Sequence, residues 1–181
     1  KLAPANIDLE IFTLEEIPPF NQDLESNPPV KVIELKSKIK EAHAILFVSP
    51  EYNYSIPGVL KNAIDWASRP YGDSAWDGKP AAIMGGSPGM GGTMRMQYHL
   101  RQVMVFLNMF PLNRPEVMVP LVNEKFDKKG NLVDEHTKEK IKGVLVNLLK
   151  IKPEELKDDA TLQDGIGVDS TEMVETVIAL E

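Results

Sequence analysis

HAILFVSPEYNYSIPGVLKNAIDWASR, residues 43–69, is the stretch that sets the architecture. His43 to Ser49 form a continuous apolar run rich in β-formers, which suits a strand buried on both faces. Pro50 ends that strand. Residues 57–69 read as a helix, with Ser55 as its N-cap and Pro57 in its first turn. A buried strand, a loop and a helix in this order form the repeating unit of a layered α/β sheet.

The flanking sequence repeats the unit. IDLEIF (7–12) alternates charged and apolar residues and reads as a strand. VKVIELKSKIKEA (30–42) places Val30, Ile33, Leu35 and Ile39 near one helical face. KPAAIMG (79–85) is a second buried strand, and SPGMGG (87–92) is a glycine-rich loop. A long helix is expected from Thr93 to about Met109, with Met96, Leu100, Val103 and Leu107 on one side. EVMVP (116–120) reads as a short strand, DKKGN (127–131) as a turn, and Asp134 to Lys150 as a helix. In an open α/β sheet, ligands bind at loops past the carboxyl ends of the strands. Loops 50–56 and 86–92 hold that position.

Composition narrows the function classes. The chain has 181 residues, 20 Lys plus Arg and 27 Asp plus Glu, for a net charge of −7. That balance argues against a nucleic-acid binder held by phosphate contacts. With 43% hydrophobic residues, the chain can bury the core of one ordinary domain with a short appendage. No apolar run approaches the ~20 residues of a membrane span, and KLAPANIDLE does not read as a signal peptide. The absence of cysteine removes disulfides, thiolate nucleophiles, iron–sulfur clusters and cysteine zinc sites. His43, His99 and His136 are far apart and have no metal-ligand spacing, so no metal is expected. A reducing cytoplasm is compatible with this composition.

The two loops carry the remaining chemistry. PEYNYS combines a carboxylate, two tyrosines and an asparagine ahead of a helix. It reads equally as an ordinary capped turn or as a set of donors for an anion or a planar, acceptor-rich ligand. In the second loop, Gly85, Gly86, Gly89 and Gly91 permit either a flexible connection or close backbone approach to a ligand. The string matches neither the Walker pattern nor GxGxxG.

PEYNYSIPGVLKNAIDWASRP strongly resembles the flavin-contacting segment of NAD(P)H-dependent FMN reductases, the chromate-, quinone- and azoreductase-like group. SPGMGGTMRMQYHLRQVMVFLNMFPLNRPEV resembles the segment that follows in that family. The resemblance covers residues 1 to about 140 and implies a flavodoxin-like parallel sheet. It implies that Pro50, Glu51, Tyr52 and Asn53 border the isoalloxazine ring, with Ser87 and the neighbouring glycines, Gly89 among them, on the other side. It implies hydride transfer from NAD(P)H through FMN to a quinone, flavin, azo or metal-oxyanion acceptor. No side chain is then a catalytic nucleophile or acid–base, because the flavin carries the chemistry. Glu51 is expected to serve as a structural hydrogen-bonding group, and His99 and Arg101 to act in packing or at the surface. The family commonly forms dimers or tetramers, to which the helix containing Gln97–Gln102 often contributes.

Two departures accompany the resemblance. The family's opening strand and its GSxRxxSxN-like phosphate loop are not in this sequence. In flavodoxin-like order that strand is central, so two strand edges would be left unpaired. The expectation is that the strand belongs to the molecule outside this sequence, the alternatives being that a further segment or chain supplies it or that the fold is incomplete and unstable. At the other end, KIKGVLVNLLKIKPEELKDDATLQDGIGVDSTEMVETVIALE resembles the first half of an acyl carrier protein. The chain therefore divides into a reductase domain, 1–136, and a helical carrier-like segment, 137–181. Asp169-Ser170-Thr171 stands where that family has DSL, which makes Ser170 the counterpart of the serine that carries 4′-phosphopantetheine. A second helix is expected from Asp169, with Met173, Val174, Val177 and Leu180 on one face. Asp169 or Ser170 also suits an N-cap needing no prosthetic group. An acyl-carrier or interaction module on a flavin-free scaffold is the alternative function.

Overall fold

The computed structural model describes residues 2–3 and 7–150, and the backbone of 175–180. Its centre is β2 (Ala44–Val48), which pairs in parallel with β3 (Pro80–Gly86), Ile45 lying opposite Ala81 and Val48 opposite Met84. Both faces of β2 are covered, as its unbroken apolar run requires. Ile45 and Phe47 enter a core with Leu35, Leu60, Met96 and Leu100, while Leu46 enters a second cluster with Ala82, Val117 and Val144. Three helices cover the first face: α1 (Val30–Glu41), α2 (Gly58–Ala67) and α3 (Met94–Phe106). On the other face lies α4 (Glu135–Leu149), N-capped by Asp134, whose carboxylate accepts from the Thr137 amide.

Beyond β3 the sheet ends in two short strands: β4 (Phe110–Pro111) beside the start of β3, and β5 (Val117–Val119) beside its end, both parallel to it. On the other side of β2 the order is β1 (Asp8–Thr13), β6 (Glu175–Leu180), β2. β6 runs antiparallel to both neighbours, with Glu175 opposite Thr13 and Val48. The place between β1 and β2 is thus taken by the chain's own 175–180 segment.

This differs from the helix expected from Asp169 onward: residues 175–180 are a strand. Thr176, Val177 and Ile178 are consecutive β-branched residues, stiff in a helix and suited to a pleated sheet. The facing edges of β1 and β2 present backbone groups that need partners. Met173, Val174, Asp169 and Ser170 lie outside the described residues.

Smaller differences have local causes. The buried stripe of α1 is Val32, Leu35 and Ile39, while Val30 and Ile33 are exposed. In α3 the buried residues are Met96, Gln97, Leu100 and Met104. Gln97 enters the core because its amide has partners there, donating to Thr93 Oγ1 (3.0 Å) and Val117 O (2.8 Å). β4 went unread because it is only two residues long and one is proline.

Candidate active site at the carboxyl edge of the sheet

Loops 50–56 and 86–92 leave adjacent parallel strands at the same edge, and α3 starts where they meet. Glu51, largely buried, reaches across to that helix. Its Oε2 accepts from the amides of Arg95 (2.9 Å) and Met96 (3.1 Å), and its Oε1 pairs with Arg95 Nη1 (3.2 Å). The N-cap residue of α3, Thr93, makes no side-chain cap bond. A carboxylate from the neighbouring loop satisfies the orphan amides instead and favours the positive helix end. Glu51 therefore has the structural hydrogen-bonding role expected of it.

Tyr52 and Ser55 close a two-residue turn through mutual backbone bonds of 3.2 and 2.9 Å. Asn53 and Tyr54, between them, both have left-handed backbone conformations, φ 50° and 64°. The Ser55 hydroxyl is 2.8 Å from His99 Nδ1. Ser55 is therefore not the cap of α2, whose N-cap is Pro57. Proline has no side-chain acceptor, so α2 starts without a side-chain cap. Arg101 donates to Leu112 O (2.8 Å) and Asn113 Oδ1 (3.2 Å), the packing role expected for it.

The glycine loop divides by function. A Cβ on Gly85 would lie 2.4 Å from both Ser49 O and Thr93 Oγ1, and one on Gly92, at φ 54°, would lie 2.8 Å from the β5 backbone. These two glycines let strands and helix touch. Around Gly89 the only atom near a Cβ is Ser87 Oγ at 3.8 Å, so this glycine faces open space. Ser87 is anchored by its backbone, its amide donating to Val119 O (3.0 Å) and its carbonyl accepting from Val122 N (3.0 Å).

Among the described residues, the amides of Asn53, Tyr54, Gly89, Met90 and Gly91 make no hydrogen bond within the chain. Two loops at one sheet edge thus present unused N–H donors. Exposed Tyr52, Tyr54 and Met90 stand beside them. Such an edge suits a planar ring system with carbonyl and ring-nitrogen acceptors. No cluster of three or more His, Asp or Glu able to hold a metal occurs among the described residues.

Residues 1–124 match the family model described as NADPH-dependent FMN reductase. The chain belongs to the NADPH-dependent FMN reductase family. It is 48% identical over 141 residues to an NAD(P)H-dependent FMN reductase of Pseudomonas aeruginosa, covering 77% of this chain and 76% of that protein. It is 49% identical over 147 residues to an NADPH:quinone oxidoreductase of Arabidopsis thaliana, covering 78% and 73%. The solved structure of FerB, a flavoenzyme NAD(P)H:(acceptor) oxidoreductase from Paracoccus denitrificans, superposes with a TM-score of 0.70. That match has 35% identity and covers 80% of this chain and 79% of FerB. This member of the FMN reductase family is an oxidoreductase enzyme with a flavodoxin-like α/β fold in which β2 to β5 are parallel, and FMN and NAD(P)H are the family's cofactors. The sequence reading includes Tyr54 among the two tyrosines of this loop but not Arg95, which is recognisable as part of the edge only through its three-dimensional neighbours.

Proposed function

We propose that this chain is an NAD(P)H-dependent FMN reductase that delivers electrons to quinones, with Pro50, Glu51, Tyr52 and Asn53 on one side of the flavin and Ser87 and Gly89 on the other. The observation that carries the reading is the set of unused amides on two loops fixed at the carboxyl edge of adjacent parallel strands. FMN, when bound, supplies the two-electron chemistry between NAD(P)H and the acceptor. The chain's own residues position it. Free amides of 53–54 and 89–91 donate to ring acceptors, the tyrosines and Met90 shield the ring from water, and Glu51 holds the first loop to α3. Glu51 is engaged in that task by its bonds to Arg95 and Met96, which supports a structural rather than an acid–base role for it.

Quinones are the favoured acceptors because relatives include a 2-hydroxy-1,4-benzoquinone reductase of Burkholderia and the plant NADPH:quinone oxidoreductase. Free flavin, azo and metal-oxyanion acceptors are further candidates for the same exposed edge. We place a homodimer or homotetramer contact on α3, which exposes Met94, Tyr98, Val105 and Phe106. No helix among the described residues is long and apolar enough to cross a membrane, and we assign the enzyme to the cytoplasm.

For the 137–181 segment we propose carrier-like ancestry, with Ser170 as a 4′-phosphopantetheine acceptor. Its opening helix, α4, is seated on the sheet through Val144, Ile141 and Leu148. A mass increment on Ser170 after treatment with a phosphopantetheinyl transferase would support this, and an unmodified Ser170 would count against it.

The deciding experiment is FMN titration followed by visible absorption, on protein of verified intact mass, then NADPH oxidation with a benzoquinone. Saturable perturbed flavin bands and quinone-dependent turnover are expected. Folded protein that leaves the flavin spectrum unchanged would exclude the reductase reading and favour a flavin-free carrier or interaction module.

A further inference from the structure

We propose that Arg95 is the positioning residue that holds the 51–55 loop in its ligand-binding shape, an inference that rests on the flavin reading of that loop. The loop is strained. A two-residue turn with both central residues left-handed normally takes Asn-Gly, where glycine meets no Cβ penalty. Here Asn53 suits the first position, but Tyr54 occupies the glycine position at φ 64°. Such a conformation persists only where its surroundings over-determine it.

Arg95 contributes directly to that determination. Its guanidinium carbon lies 3.9 Å from the centroid of the Tyr54 ring. The same guanidinium pairs with Glu51 Oε1, and the Arg95 amide donates to Glu51 Oε2. One residue therefore grips both the start of the loop and the strained tyrosine. Gly91 lies alongside, where a Cβ would be 3.6 Å from Arg95 Nη1. The guanidinium stands where the first loop, the glycine loop and α3 converge. The Ser55–His99 contact, one helical turn further along, closes the far end of the turn. With the loop fixed, the amides of Asn53 and Tyr54 stay unbonded and available. Without Arg95, the Tyr54 backbone is free to relax out of the left-handed region and take those donors with it.

The test uses the full chain and two readouts. In flavin-free protein, amide hydrogen exchange at Tyr52 and Ser55, whose amides close the turn, reports the loop itself. In FMN-loaded protein, the flavin dissociation rate reports its consequence. Arg95→Ala is expected to speed both by about tenfold, the order set by losing a stacked, partly desolvated cation and its ion pair. Exchange in β2 and β3 should stay as in the wild type. Arg95→Lys keeps the charge but loses the planar stack, and should fall between the two. Adding Tyr54→Gly to Arg95→Ala should restore slow exchange at Tyr52 and Ser55, because glycine adopts this backbone without restraint. A purely structural arginine would lower the melting temperature and would not be rescued at Tyr54. Unchanged exchange at Tyr52 and Ser55 in Arg95→Ala, or failure of the Tyr54→Gly rescue, overturns the proposal. Wild-type protein that takes up no FMN overturns the flavin reading instead, and the exchange measurement still judges Arg95.

Discussion

The two edges of the sheet are fastened by opposite means. At the carboxyl edge the contacts are short and close: backbone against Gly85 and Gly92, and one carboxylate spanning two helix amides. At the opposite edge, the 69–79 connection is held by long cations. Lys36 donates to Arg69 O and pairs with Asp73 (2.8 Å), and Lys40 pairs with the same carboxylate (2.6 Å). Lys79 donates to Lys40 O (2.8 Å) and Ala42 O (2.6 Å), closing the carboxyl end of α1. Trp76, which is buried, locks the connection from within, its Nε1 donating to Ile64 O (3.0 Å). Long side chains secure an edge while tolerating displacement. Close backbone contacts secure one while leaving neighbouring amides unused, which a ligand edge needs.

The strongest way to break this contrast is at Gly85. A methyl group there meets the Ser49 carbonyl, which belongs to the backbone and cannot swing away. Gly85→Ala should cost about 3 kcal/mol or prevent folding, by the overpacking of a close-packed interior. Gly89→Ala, in open space a few residues on, should stay within about 0.5 kcal/mol of wild type. Urea unfolding of the two variants side by side checks both. Equal costs would mean the loop's glycines share one role, and the division between packed and open glycines would fail.

How much of this was readable beforehand follows from the range of the interactions. β2 and β3 are dictated by local apolar runs, and their pairing in parallel follows from the helix between them. The placement of loops 50–56 and 86–92 at one edge was therefore legible, as was the hydrogen-bonding role of Glu51. The Glu51 partners were not, because Arg95 and Met96 lie more than forty positions away and nothing near residue 51 announces a helix cap in trans. The Ser55 hydroxyl looked like a local cap and instead meets His99, a contact only the packed structure creates. The 175–180 strand was read as helix because its apolar spacing fits either period. The deciding factor, a slot between β1 and β2, belongs to the whole sheet.

At the other edge, Lys79→Met should cost about 1 kcal/mol through loss of a cation on the carbonyl end of α1. Burial pushes the Lys79 ammonium below its usual pKa, so part of its gain is already spent on desolvation. The methionine keeps the apolar stem in place, and the measured loss then reports the carbonyl contacts. A loss matching that of Gly85→Ala would contradict the view that this edge is fastened loosely.

The smallest effect comes from acid. Asp73 is held down to about 2 by hydrogen bonds from Lys36 and then Lys40. A carboxyl whose pKa is lower in the folded than the unfolded chain contributes stability that is complete above the unfolded value of about 3.9. That contribution disappears as the pH falls through the folded value. Because Asp73 is half exposed, solvent screening limits the contribution to about 0.5 kcal/mol. Comparing wild type with Asp73→Asn isolates it: the two melting temperatures should differ at pH 6 and converge between pH 4 and 2. Convergence would show that the opposite edge releases its ionic grip in acid, and a constant gap would mean that Asp73 contributes through contacts that do not depend on its charge.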